Sequence, residues 1–169
     1  PHYTREVFGI NVPHDLYVHI SGIDLIKGAD GKFYILEDNL RTPSGVSYML
    51  ENREVTKRIF PSLVTNNQVK MINNYPLLLH SILLSLSPRH VKTPNVVILT
   101  PGIFNSAYYE HTFLARQMGI ELVEGRDLVV NGHKVYMKTT RGLQQVDVIY
   151  RRVDDEFLDP LTFKADSIL

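Results

Sequence analysis

The run Val96-Val97-Ile98-Leu99 is the strongest constraint on what this chain can fold into. Four consecutive aliphatic residues without polar alternation read as a strand buried on both faces, as in covered parallel sheets. Thr93-Pro94 precedes the run and Thr100-Pro101-Gly102 closes it. A helical pattern follows over 106–118, with Leu114, Ala115 and Met118 at helical spacing and Gly119 as its stop. Ile120-Glu121-Leu122-Val123 is a second strand. Strand, helix and strand of these lengths predict a right-handed βαβ unit, hence an α/β fold class with a Rossmann-like layer. Ligands of such sheets bind beyond the carboxyl ends of the strands. That rule places Pro101, Gly102, Asn105 and the start of the helix at a candidate site. The Gly-x-Gly-x-x-Gly of a dinucleotide fold is missing. Glu110-His111 lacks the second histidine of a zinc-protease helix.

A β-hairpin is predicted upstream. Strands over 16–27 and 33–39 flank Asp30-Gly31, a two-residue type I′ turn signal. That turn sets Ala29 opposite Lys32, Ile26 opposite Ile35, and Asp24 opposite Glu37. Phe33, Ile35, Glu37 and Asn39 then share one face with Val18, Ile20, Asp24 and Ile26. Two carboxylates facing each other at about 5 Å between Cβ atoms repel unless a cation lies between them. Asp24, Glu37 and the Asn39 amide are hard oxygen ligands suited to Mg²⁺ or Mn²⁺. A plain surface hairpin with scattered polar residues fits the same spacing. His19 falls on the other face and reads as a packed or hydrogen-bonded histidine rather than a ligand.

Arg41-Thr42-Pro43-Ser44-Gly45 breaks the second strand. Ser44 or Ser47 is the expected cap of a helix from 46 to 60, with Val46, Met49, Leu50 and Arg53 on one side. A Ser-Gly loop at a helix start also suits an anion, and Arg41 and Arg53 bracket it with two planar cations. Residues 66–87 predict a second helical stretch that Pro76 starts or kinks. Leu128 to Met137 predicts another hairpin, with an Asn131-Gly132 turn. Val146 to Tyr150 is a last strand, running into Arg151-Arg152-Val153-Asp154-Asp155, which fits either a solvated rim or a polar site. Residues 1–14 suggest an irregular lead-in with one helical turn near Arg5.

Composition removes several function classes. Lys and Arg number 18 and Asp and Glu 18 among 169 residues, so no global field favours nucleic acid or an acidic membrane. No cysteine is present, which rules out a disulfide framework and thiol catalysis and makes a reducing, cytoplasmic compartment the expectation. No apolar run approaches membrane-spanning length. The expected organisation is a hairpin-plus-helices segment over 1–90 and an α/β segment over 91–169, together a piece of a longer protein.

Several blocks carry a family likeness. Leu36 through Tyr48 with Leu50-Glu51-Asn52-Arg53, and Thr100-Pro101-Gly102 through His111, resemble the circularly permuted ATP-grasp family. Leu122 through Leu128 and Ile149 through Asp155 do so too. That family is related to glutathionylspermidine synthetase. The resemblance implies a β-hairpin and helices from part of an ATP-grasp lobe, joined to a Rossmann-like layer of pre-ATP-grasp type. It implies an ATP- and Mg²⁺-dependent carboxylate–amine ligase acting through an acyl phosphate on a small-molecule or peptide carboxylate and an amine. The Asp…Glu-x-Asn pattern of those relatives maps the metal ligands to Asp24, Glu37 and Asn39. Gly22 stands where the related synthetase has arginine, which leaves Lys27, Arg41 and Arg53 as candidate phosphate contacts beside Ser44 and Gly45. Asn105, Glu110 and Arg151 are the implied acceptor-substrate contacts. An ATP-grasp clamps its nucleotide between two lobes, so these residues are expected to need the remainder of the polypeptide for turnover. A non-catalytic nucleotide-binding or protein-interaction module of the same fold, and a phosphatase- or kinase-like metal site, are the competing classes.

Overall fold

The structure, a computed structural model, describes residues 5, 8–88, 90–158 and 164–167. The helical turn expected near Arg5 falls largely outside those residues. Two compact units divide the chain, Pro1–Leu40 and Arg41–Leu169. This is a division by packing, whereas the 1–90 and 91–169 segments follow from sequence pattern.

The first unit holds a 3₁₀ turn, Pro13–Asp15, and the antiparallel pair β1 (Gly22–Lys27) and β2 (Phe33–Asn39). The first strand is shorter than the expected 16–27. Asp24 does face Glu37, and Gly22 faces Asn39, but Ile26 faces Tyr34 instead of Ile35. Two irregularities produce this. Gly28 N–H donates to Lys32 C=O at 2.9 Å and Gly31 N–H to Gly28 C=O at 3.0 Å, so three residues form the loop. Only Gly31 takes positive φ there, at 79°, which is the longer-loop geometry rather than type I′. Asp30 stabilises it by accepting from Lys32 N–H at 3.1 Å and Tyr34 O–H at 2.8 Å. The register then shifts by one between Asp24 and Leu25, leaving Leu36 as an extra residue on β2. The bulge offsets the longer turn. Phe33 and Ile35 therefore lie on the face opposite to Glu37 and Asn39.

The second unit runs α1 (Val46–Ile59), α2 (Pro61–Asn66), α3 (Tyr75–Ser85), β3 (Val96–Leu99), α4 (Tyr108–Met118), β4 (Glu121–Val123), β5 (Leu128–Asn131), β6 (Lys134–Thr139), β7 (Gly142–Val146) and β8 (Val148–Arg151). Of the helical stretch expected over 66–87, Tyr75–Ser85 is helix α3, while 67–74 connect it to the end of α2, with Gln68 at φ 49°. Pro76 sits in the first turn of α3, where its missing N–H costs no helical bond. Strands β4, β3 and β8 form a parallel sheet in that order, and β5, β6 and β7 an antiparallel one. The second hairpin turns at Gly132-His133, one residue later than expected. Asn131 pairs with Lys134, and the two loop residues take φ 55° and 62°.

The run expected as one strand over 146–150 is shared between the two sheets. Val146 ends β7 and Val148 begins β8. Asp147 makes the crossing possible: its carboxylate accepts from Asn95 N–H at 2.8 Å and Gln145 Nε2 at 2.9 Å. Strand alternation then builds the core. Val97 and Leu99 pack with Val123, Met137, Val146 and Val153 between the sheets. The opposite face of β3 carries Ile98, and α4 packs on that strand with Leu114, Ala115 and Met118 buried. Full burial of each such aliphatic side chain contributes about 1.5–3 kcal/mol.

Candidate functional site

The parallel sheet creates the site. Chain order runs from β3 to β4 on one side of β3 and to β8 on its other side, so the connections diverge at the carboxyl end of β3. A crevice forms where connections diverge this way. The ladder continues one residue past each strand, with Thr100 N–H donating to Val123 C=O at 2.9 Å and Arg152 N–H to Leu99 C=O at 2.8 Å. A cleft of about 570 Å³ opens there. Pro101 and Asn105 follow β3, Glu124 follows β4, and Arg152 and Asp154 follow β8; His111 reaches it from α4.

Beneath this cleft lies a buried ionic network. Glu110 is 1% exposed and the Arg152 side chain 2%. Glu110 Oε1 accepts from Arg152 Nη2 at 3.1 Å. Its Oε2 accepts from Gly45 N–H at 2.7 Å and from Ser47 N–H and Oγ–H at 3.1 Å each. The start of α1 does hold an anion, but that anion is the carboxylate of Glu110. The expected Ser44 or Ser47 side-chain cap is not formed, because Gly45 is the capping residue and takes φ 106°. Arg152 Nη1 donates to the Tyr150 hydroxyl at 3.1 Å, and its carbon centre lies 5.6 Å from the Tyr150 ring centre. Burial pushes the Tyr150 phenol above its ordinary pKa, against the pull of the Arg152 charge. Arg152 Nε is buried with no hydrogen-bond partner among the described residues.

His111 is 1% exposed. Its Nδ1 lies 2.8 Å from Thr100 Oγ1, and Thr100 Oγ1 also accepts from Gly102 N–H at 3.2 Å. Thr100 is itself 1% exposed, and Nδ1 is the acceptor in reach of its hydroxyl hydrogen. Leaving that hydrogen unbonded would cost about 1–3 kcal/mol, so the hydroxyl donates to Nδ1 and the ring proton sits on Nε2. Burial, followed by the Arg152 charge, lowers the imidazole pKa to about 4 against the opposing pull of Glu110. The ring is therefore neutral at pH 7.

Gly102 takes φ 104°, and a Cβ there would meet the Glu124 carboxylate at 3.4 Å. Gly102→Ala is expected to lower stability by about 1–2 kcal/mol through left-handed backbone strain, with further crowding of Glu124. Urea unfolding of the variant against the parent chain measures it.

The structure disperses the residues singled out from sequence. In the first unit, Asp24 lies opposite Glu37, and Asn39 Nδ2 donates to Glu37 Oε1 at 3.3 Å. That bond uses the amide nitrogen and not the oxygen a metal takes. Lys27 is an exposed strand end paired with Phe33. The Nε2 of His19, on a residue read as packed or hydrogen-bonded, is buried without a hydrogen-bond partner among the described residues.

In the second unit, Arg41 lies 3.8 Å from both Asp154 and Asp155, and Arg151 pairs with Asp155. Burial, then the Arg41 charge, lowers the Arg151 pKa, while Asp154 opposes both. Ser44 and Asn105 line the cleft. Arg53 lines a different pocket, and its Nη1 donates to Lys70 C=O at 2.6 Å. Thr100, His111 and Glu124 are site residues that sequence reading does not single out, while Arg152 and Asp154 belong to the run that fits either a solvated rim or a polar site. Position is the signal for three of the five: Thr100 and Glu124 come immediately, and Arg152 two residues, after a strand predicted from the sequence.

Comparison with known proteins places this fold among relatives. A family model described as a circularly permuted ATP-grasp matches residues 1–169. An uncharacterised protein of Mycobacterium tuberculosis is 53% identical over 168 residues, covering 99% of this chain and 30% of the relative. An uncharacterised protein of Synechocystis is 53% identical over 167 residues, covering 99% and 35%. A putative glutamate–cysteine ligase of Frankia casuarinae is 38% identical over 148 residues, covering 86% and 17%. The chain thus spans about a third of the length of the first two relatives. With its whole length matched by one family model, the chain belongs to the circularly permuted ATP-grasp family.

Proposed function

We propose that this chain carries the metal- and phosphate-binding part of an ATP-dependent carboxylate–amine ligase, together with a substrate cleft. The observation that carries the reading is the pairing of Asp24 with Glu37, with Asn39 beside them. Two facing carboxylates and an amide oxygen suit a hard divalent cation. Asp24, Glu37 and Asn39 would hold Mg²⁺, and Mn²⁺ has the same ligand preference. When bound, the ion neutralises charge on the phosphates of ATP. Family membership supports ATP as the phosphoryl donor, and the Frankia relative carries the name of a glutamate–cysteine ligase.

In this reading the γ-phosphoryl group passes to a substrate carboxylate to form an acyl phosphate. An amine then attacks that carbonyl, an amide bond forms and phosphate leaves. Phosphoryl transfer needs positioning and charge neutralisation rather than a side-chain nucleophile. Arg41 is half-exposed and, among the described residues, held by 3.8 Å ion pairs alone, so it is the arginine best able to turn to phosphate, with Ser44 near it in sequence. Asn105 is the candidate contact to substrate. Glu110 and Arg151 act by holding their neighbours, since both are committed to internal partners. The Rossmann-like character of the β3–α4–β4 unit belongs to this same reading.

Glu37→Gln with Asn39→Ala in the full-length protein tests the reading. The loss of Mg²⁺-dependent ADP release should at least match the roughly 10- to 100-fold that outer partners of metal ligands are worth. The assay uses Mg-ATP with a library of amino acids, polyamines and peptides, read by mass spectrometry for adducts that have lost water. Unchanged ADP release and product in the double variant would sink the ligase reading in favour of a non-catalytic module. Phosphate release from a monoester without an amine would instead favour the phosphatase-like class.

A further inference from the structure

One ring nitrogen in the cleft is unused by the chain. His111 Nδ1 is committed to Thr100, and Nε2 has no hydrogen-bond partner among the described residues. It is not sealed off either. The buried side-chain nitrogen and oxygen atoms without partners, among the described residues, are His19 Nε2 and Arg152 Nε. Since His111 lines the cleft, Nε2 opens onto it. The Thr100 hydroxyl has already fixed the ring proton on that atom.

Asn105 presents the same chemistry. Its Oδ1 accepts from Ala107 N–H at 2.9 Å, which only the oxygen end of the amide can do. The NH₂ end is left for the cleft that Asn105 also lines. The loop after β3 and the first turn of α4 thus offer two neutral donor groups, the Asn105 NH₂ and the His111 Nε2–H. A carboxylate oxygen is acceptor-only and matches them, whereas an ammonium is donor-only and does not. The charges around the cleft select further. Among the described residues, both arginines that line the cleft already have a carboxylate partner, Arg152 with Glu110 at 3.1 Å and Arg126 with Glu124 at 3.1 Å.

We propose that His111 and Asn105 form the subsite for the substrate carboxylate, with His111 as a neutral Nε2–H donor oriented by Thr100. The proposal rests on the ligase reading for the identity of the carboxylate as a substrate, but its geometry is tested apart from turnover. Imidazole ¹⁵N spectra of histidine-labelled full-length protein at pH 7 should show His111 as the Nε2–H tautomer. Its resonances should shift and saturate with L-glutamate, and not with inorganic phosphate or putrescine. Asn105→Asp keeps the bond to Ala107 and removes both amide donors, so it should weaken glutamate binding at least tenfold. An Nδ1–H tautomer, a His111 signal indifferent to glutamate, equal binding of phosphate, or unchanged affinity in Asn105→Asp overturns the proposal. If glutamate binds as described but no amine yields ADP and an adduct, the ligase reading fails and the carboxylate subsite stands.

Discussion

Replacing Glu110 with alanine is expected to lower the unfolding free energy by about 3–5 kcal/mol. Three consequences converge on one substitution. The Arg152 guanidinium, its side chain 2% exposed, loses the carboxylate that neutralises it. The Gly45 and Ser47 N–H groups and the Ser47 hydroxyl lose their common acceptor. The start of α1 is then left without a cap, since no side chain of its own provides one. Urea denaturation at constant m-value reads the loss. Glu110→Met with Arg152→Met removes both charges at once and should cost clearly less than the two single changes added together. Full additivity would mean that the pair does not act as a unit.

The second large effect is a dependence on pH. His111 has a folded pKa of about 4 and an ordinary unfolded value near 6.5. Between those values the unfolded chain binds a proton that the folded chain refuses. Stability therefore rises with pH across this window, is complete above about pH 6.5, and is lost as pH falls toward 4. The shift corresponds to about 3 kcal/mol. The groups pressing on the ring are Arg152, which disfavours its charge, and Glu110, which favours it. Unfolding midpoints of the parent chain and His111→Gln, measured from pH 4 to 7.5, isolate the contribution by difference. The variant should be less sensitive to acid across that window. Parallel curves would place the ring in a solvated setting and remove the physical basis for its neutrality.

Local pattern was enough for some of this fold. Val96–Leu99 needed only its own apolar run, and the 106–118 helix needed its spacing and Gly119. What escaped was whatever depends on residues distant in sequence. The cap of α1 comes from Glu110, 65 positions after Gly45, so no search near Ser44 finds it. Asp147 looks like an ordinary polar residue within a strand until Asn95 is brought beside it. His111 lacks the second histidine of a zinc-protease helix, and its environment is set by Thr100, eleven residues earlier. Turns were readable to within one residue, because neighbouring positions compete for positive φ. Gly132-His133 and Ala29-Asp30-Gly31 each resolved that competition away from the simplest pairing.

That one-residue latitude has a sharp outcome at Leu36. The pairs nearest the turn, continued without interruption, would set Leu36 opposite Asp24 and Asp38 opposite Gly22. Glu37 and Asn39 would then point away from Asp24. The hairpin thus has two phases of the same sequence, one residue apart, with different ligand sets. The extra residue selects the phase in which Glu37 and Asn39 accompany Asp24. The candidate metal site is thereby encoded in backbone phase as much as in side-chain identity, and a change that relaxes the bulge would erase it with every carboxylate still in place.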